Sequence, residues 1–482
     1  MTIQSLDLLI PNNQSSTEDL DLLKELDNLD QILDIDNDTD LDISPELDAL
    51  IKKRWNKDID FALVSKHLIN YPTPLNINYY WSFGSLAGIT LVIQLITGIF
   101  LAMNYDPNIQ LAFNSVEYIM REIHYGWLFR YTHANGASMF FIVVYCHIFR
   151  GIYYSSFQAP RQRLWFSGLL IFVIMMATAF MGYVLPWGQM SYWGVTVITN
   201  LFSAIPIIGD SIVAWLWGGF SVNNATLNRF QIVHYVLPFI IVLLMITHLN
   251  ILHQVGSSTP LGIEHKKELD DLDFFPYFVI KDIVALLAYL MVFVYLVCFE
   301  PNLLGHPDNY IPADPFKTPA HIVPEWYFLP FYAILRSIPN KLGGVLAMFG
   351  AILAFATLPF ANRVTVRSPK FRPIYPIFFY FLLINFIFLG YIGHLPVKAT
   401  FVIVGEHLTF CYFLWFIVRP FINVLESVVT FNIKFNDIKI DYSLNLYGKD
   451  HTPHLINYNN KVNTINKEEN NNKENINNEI KK

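Results

Sequence analysis

The chain has 482 residues, of which 54% are hydrophobic, 16% aromatic and only 15% charged, a balance too apolar for an ordinary water-soluble domain. The net charge of −7 is uneven, because residues 1 to 50 hold fourteen Asp and Glu against the single Lys24, leaving about +6 on the remainder. This composition places the chain in a membrane, and nucleic acid is not an expected partner.

In chain order, an acidic arm over 1–55 comes first. Leu22, Leu23, Leu26, Leu29 and Leu33 recur at helical spacing behind the Ser16-Thr17-Glu18-Asp19 start signal. The arm therefore reads either as an amphipathic helix or as a solvated tail. It has neither the apolar core of a secretory signal nor the arginines of a transit peptide. Eight apolar stretches follow, each close to the ~20 helical residues that cross a bilayer: 83–103, 136–149, 164–185, 232–252, 283–299, 342–360, 374–392 and 401–418. The second is short, and the aromatic-rich Gly126 to Asn135 can extend its N-terminal end. The three cysteines, Cys146, Cys298 and Cys411, lie inside these spans and read as small buried hydrophobes. Tyr442 to Lys482 is an Asn-rich tail without chemical content. The expected fold is all-α and polytopic. Its expected divisions are the arm over 1–55, a four-helix membrane domain over 56–255, a second set of four helices over 256–425, and the tail over 426–482.

Lysine and arginine in short loops set the orientation of such a chain. Lys52, Lys53 and Arg54 precede the first span, and Arg150, Arg161 and Arg163 follow the second. Lys266, Lys267 and Lys281 follow the fourth, and Arg363, Arg367, Lys370 and Arg372 the sixth. All of these fall on one side, which is the side of both termini, so the second and fourth spans run parallel.

These two spans carry histidines at one interval. His133 and His147 are fourteen residues apart, as are His234 and His248. Fourteen residues amount to about 3.9 turns and about 21 Å of rise, which puts each pair on nearly one helix face at two depths. In parallel helices His133 is level with His234, and His147 with His248. Zinc suits this pattern poorly, because its sites usually draw four ligands. Haem suits it well. Gly84 and Gly98 in the first span and Gly168 and Gly182 in the third repeat the same interval, and only glycine lets a flat macrocycle press on a helix backbone. Arg130 and Arg150 are placed to meet propionates. Two histidines per iron fill both axial positions, so such haems carry electrons rather than bind ligands.

The runs WSFGSLAGI, HANGASMFF, GYVLPWGQMSYWG and PEWYFLPFYAILRSIPNK, together with the histidine pairs, resemble the cytochrome b family, over about Asn70 to Val418. The resemblance implies the haem-bearing catalytic subunit of a ubiquinol–cytochrome c reductase, with a di-haem four-helix bundle plus four further helices. It implies a low-potential haem on His133 and His234 and a high-potential haem on His147 and His248. It also implies quinol oxidation in a pocket lined by Tyr183 to Gly194 and the PEWY loop, with Glu325 accepting a proton and Tyr332 nearby, and quinone reduction at His253 and Asp282. Ubiquinol and ubiquinone are then the substrates, and a Rieske-type iron–sulfur protein and a c-type cytochrome are the partners, in a dimeric complex of the mitochondrial inner membrane with both termini on the matrix side. Ser82 and Phe149 depart from the asparagine and glycine usual in the family, and the acidic arm lies outside its pattern. Independently of the family, Glu325 is a carboxylate in an apolar, proline-flanked loop, a setting that raises its pKa. The plastoquinol complexes of photosynthesis are a second reading. A transporter or structural subunit with buried histidines is a third.

Overall fold

A computed structural model describes residues 69–264, 270–360 and 366–432, with side chains as far as 426. The acidic arm over 1–55 and the Asn-rich tail from Tyr442 onward lie outside the described residues. The described chain falls into two compact units, one made of 69–82 with 270–289 and the other of 83–264 with 290–432.

The smaller unit contains the antiparallel pair β1 (Pro72–Pro74) and β2 (Asp271–Asp273). In the same unit the Lys281 ammonium donates to the Ile77 carbonyl at 2.6 Å and lies near the faces of Tyr79 and Phe278.

The larger unit is helical. In order its helices are α1 (Phe83–Ala102), α2 (Ala112–Arg121), α3 (Gly126–Tyr153), α4 (Gln162–Val184), α5 (Gln189–Asn200), α6 (Gly209–Trp217) and α7 (Asn224–Val255). Next comes α8 (Val279–Cys298), whose first half belongs to the smaller unit. The last four are α9 (Leu329–Arg336), α10 (Lys341–Thr357), α11 (Tyr375–His394) and α12 (Ala399–Asn432). Among the described residues eight helices are long and apolar enough to cross a membrane, and each overlaps one of the eight expected spans. The second does extend back to Gly126. Many large apolar side chains on the spans point outward, such as Leu243, Met291, Ile377 and Ile387. Lipid is the solvent that suits them.

Local sequence explains the ends of several helices. At the start of α7 the Asn223 side chain accepts from the Ala225 amide at 2.9 Å, and Thr226 accepts from the Asn223 amide at 3.1 Å, so two orphan donors of the first turn are satisfied. Pro238 lies inside this helix. Asn340 caps α10 by accepting from the Gly343 amide at 2.8 Å. Helix α6 stops at Gly218, where φ is +73°, a conformation that costs glycine little.

Helices α3, α4, α9, α10, α11 and α12 share one aromatic core that includes Phe141, Phe172, Tyr327, Phe355, Phe386 and Trp415. Near its edge Arg372 and Glu426 form a buried ion pair at 2.7 Å. The Ile374 and Tyr375 amides also donate to Glu426, at 2.9 and 2.7 Å, so the buried carboxylate is saturated with donors.

Candidate electron-transfer site

The four span histidines gather into two pairs. The ring centres of His133 and His234 are 6.2 Å apart, and those of His147 and His248 are 6.5 Å apart. Helices α3 and α7 therefore run parallel, as the loop charges required. Two imidazoles at this separation would each have a nitrogen to offer one metal ion between them, so each pair would be able to hold one haem iron. Among the described residues no group of three or more His, Cys, Asp or Glu converges as a metal site.

The glycines face these same imidazoles. A Cβ built on Gly98 would lie 3.1 Å from Cε1 of His133, and one on Gly182 would lie 2.4 Å from Cε1 of His234. At the other pair, Gly84 would bring a Cβ to 3.3 Å from His147 and Gly168 to 3.1 Å from His248. Each pair thus has two bare helix backbones beside it, one from α1 and one from α4. Gly182 is the most restrictive. A Gly182→Ala chain is expected to displace His234 and to lose haem absorbance selectively from that pair, as read in a reduced-minus-oxidised spectrum. Unaltered absorbance would mean that the cradle at Gly182 is wider than its geometry indicates.

Ring orientation depends on what each Nδ1 meets. Thr97 donates its hydroxyl proton to the Ile93 carbonyl at 2.7 Å, so at 2.9 Å from Nδ1 of His133 its oxygen acts as an acceptor. Ser167 behaves alike, donating to the Leu164 carbonyl at 2.8 Å and accepting from Nδ1 of His248 at 2.8 Å. Nδ1 of His234 donates to the Thr178 carbonyl at 2.8 Å. Three histidines thus keep the proton on Nδ1 and offer a bare Nε2. His147 differs, because its Nδ1 receives a hydrogen bond from Arg150 at 3.0 Å. Metal binding through Nε2 would move the proton to Nδ1 and turn the guanidinium toward another acceptor, which suits a propionate partner.

Sequence reading missed Thr97, Ser167 and Thr178. One signal was present, since Thr97 and Ser167 each immediately precede one of the interval glycines. Arg130, the other expected propionate partner, donates to the Tyr310 hydroxyl at 2.8 Å, which in turn donates to Asn302 at 2.6 Å. Neither Tyr310 nor Asn302 stands out by spacing.

The second cluster surrounds Glu325. GYVLPWGQMSYWG is tied to the loop before PEWY: the Gln189 amide donates to the Ile311 carbonyl at 2.9 Å and the Ala313 amide to the Trp187 carbonyl at 3.0 Å. Ser191 donates to Asn309 from both its amide and its hydroxyl, each at 2.9 Å. A Cβ on Gly188 would lie 2.2 Å from the Asn309 carbonyl oxygen, so only glycine allows the two segments to approach this closely. Glu325 immediately precedes the short turn Trp326–Phe328, and its side chain makes no capping hydrogen bond to it. Burial raises its carboxyl to about pKa 7, against the lowering effects of the Tyr183 hydroxyl and the Arg130 charge. The Tyr183 hydroxyl is itself buried without a hydrogen bond of normal geometry. Tyr332 lies in α9, with the Arg336 guanidinium 5.5 Å from its ring centre. Gly194 lies in α5 with open space where a Cβ would project.

His253 occupies the last turn of α7, and Asp282 the first turn of α8 within the smaller unit.

Residues 68–256 match the family described as Cytochrome b/b6/petB, and residues 312–413 match Cytochrome b(C-terminal)/b6/petD. The chain is 61% identical over 352 residues to cytochrome b of Phytophthora megasperma, covering 73% of this chain and 91% of that one. The chain belongs to the cytochrome b family. Cytochrome b of Chondrus crispus is 56% identical over 374 residues, covering 78% of this chain and 97% of its own length. That of Oryza sativa subsp. japonica is 59% identical over 360 residues, covering 75% and 90%. Among solved structures, a chain of a hyperthermophilic respiratory Complex III superposes with a TM-score of 0.74 at 35% identity, covering 78% of this cytochrome b and all of that chain. As a cytochrome b, the protein is a haem-bearing membrane component of electron transport.

Proposed function

We propose that this cytochrome b is the catalytic subunit of a ubiquinol–cytochrome c reductase, oxidising quinol at one membrane face and reducing quinone at the other. The observation that carries the reading is the paired imidazoles at 6.2 and 6.5 Å. Bound between them, two b-type haems would supply single-electron transfer across the membrane, one on His133 and His234 at low potential and one on His147 and His248 at high potential. Gly84, Gly98, Gly168 and Gly182 keep the helix backbones bare beside the imidazoles, and Arg130 and Arg150 would be the residues to pair with the propionates.

Glu325 accepts a proton from bound quinol. Its elevated pKa matches that task near neutral pH. Tyr183, Gly194 and Tyr332 shape the same pocket. On the opposite face His253 and Asp282 are each candidates to bind and protonate quinone, to be tested by separate substitution. One electron leaves for a Rieske-type iron–sulfur protein and a c-type cytochrome, in a dimeric complex of the mitochondrial inner membrane with both termini toward the matrix.

The purified complex should show two b-type absorbance components in a reduced-minus-oxidised spectrum, and haem extraction should return two haems per copy of this chain. A complex that contains the chain but lacks b-type absorbance would overturn the reading in favour of a transporter or structural subunit.

A further inference from the structure

Helix α3 has a second working face. At about 100° per residue, Ser138, Phe141 and Tyr145 fall within roughly 60° of one another, whereas His133 and His147 point roughly 110° and 150° from their mean direction. This second face meets the PEWY loop at three points. The Tyr145 hydroxyl donates to the Tyr327 carbonyl at 2.5 Å. Phe141 stacks on the Tyr327 ring at 3.9 Å with planes 2° apart. The Trp326 indole donates to the Ser138 hydroxyl at 3.1 Å. The Tyr145 ring is held edge-on by Phe172, Trp326 and Phe386, so its hydroxyl has little freedom to leave the carbonyl.

We propose that Tyr145, supported by Ser138, is a positioning residue for proton acceptance at Glu325, fixing the carboxyl-bearing turn against the helix that also carries His133 and His147. The inference rests on the proposed role of Glu325. The physical link is short. Glu325 begins the turn, its carbonyl accepts from the Phe328 amide at 2.9 Å, and Tyr327 lies inside that turn. Removing the Tyr145 hydroxyl leaves a buried carbonyl without its donor, an expense relieved by loosening the turn and admitting water. Glu325 would then lose both its aim and part of its desolvation. The charged or titratable groups that act on it, Tyr183 and Arg130 on its carboxyl and the Tyr327 phenol beside it, would remain.

Tyr145→Phe keeps the ring packing. In the assembled complex it should reduce the quinol-oxidation rate by about tenfold or more, as small misplacements of a catalytic group do. It should also move the low-pH limb of the rate profile downward, because a better-hydrated carboxyl deprotonates earlier. The Phe328 amide should exchange hydrogen for deuterium faster than in the parent, and both haem spectra should be unchanged. Ser138→Ala should shift exchange and pH profile in the same direction by a smaller amount, and it decides the matter if Tyr145→Phe fails to assemble. In a Glu325→Gln background, Tyr145→Phe should add little further slowing, since both act on one step. A slow Glu325→Gln chain combined with a Tyr145→Phe chain of parental rate, limb and exchange would overturn the positioning role alone. Parental rates from Glu325→Gln itself would remove the reading beneath it.

Discussion

Replacing His248 with leucine should remove one of two haems and leave the other in place. The geometry makes this selective: His147 and His248 face each other at 6.5 Å, and neither contacts the set formed by His133, Thr97, His234 and the Thr178 carbonyl. Leucine fills part of the imidazole volume in an apolar span but offers no nitrogen to a metal. The Ser167 hydroxyl loses its partner as well. Haem content should fall from two to one per chain, and the spectral component that remains should be that of His133 and His234. A stable His248→Leu complex with two haems would refute the ligand pairing. His147→Leu should behave alike, which excludes an effect peculiar to α7.

Glu325→Gln is the second large effect. Glutamine preserves size and most hydrogen bonding but takes up no proton near neutral pH, so quinol oxidation should slow by ~10² to 10⁴, the usual range for a lost general base. The pH dependence carries a sign. Burial lifts the carboxyl to about 7, and only its deprotonated form accepts a proton, so the parental rate should climb as pH rises through about 7 and level off above. The glutamine chain should lack that climb. Haem absorbance should be unaffected, because Glu325 belongs to neither imidazole pair. Retention of both the rate and the climb would transfer proton acceptance to another group and leave PEWY a role in shaping the pocket only.

Periodicity revealed the skeleton of this site more fully than its supports. The eight spans are legible because a helix in lipid must be apolar over its length, and the interval of fourteen survives folding because two parallel helices preserve depth, Pro238 inside α7 notwithstanding. Helix ends were less legible. Helix α7 begins at Asn224, eight residues before its apolar stretch, because capping by Asn223 and Thr226 rather than hydropathy decides where the backbone turns. The helices α2, α5 and α6 between the spans are only 10, 12 and 9 residues long, too short to register as spans. Tyr145 and Tyr310 were invisible for another reason, and Thr97 and Ser167 were marked only by the glycine that follows each. Each acts through one hydrogen bond to a distant segment, and no periodic pattern encodes a contact of that kind. Glu325 was legible because proline and aromatic neighbours imply desolvation directly.

The loops on the arginine-rich face have a different character. Glu264, after α7, receives Arg161 from the loop before α4 at 2.8 Å, and Arg367 from the segment before α11 also binds it. Hydrogen bonding from Arg161 holds this carboxyl at a pKa of about 2. A carboxyl depressed in the folded state contributes stability above its ordinary value near 4.5 and loses it only as pH falls toward 2. No pH a respiring membrane meets reaches that window, whereas the Glu325 carboxyl, raised to about 7, changes charge inside the range such a membrane does meet. In the proposed orientation the chain sets a chemically inert buttress toward one aqueous phase and a buried, proton-responsive carboxyl toward the other. If the proposed quinol chemistry releases its protons on one side, that inequality is useful, because acidification of one compartment then tunes the chemistry on its own side without loosening the scaffold on the far side.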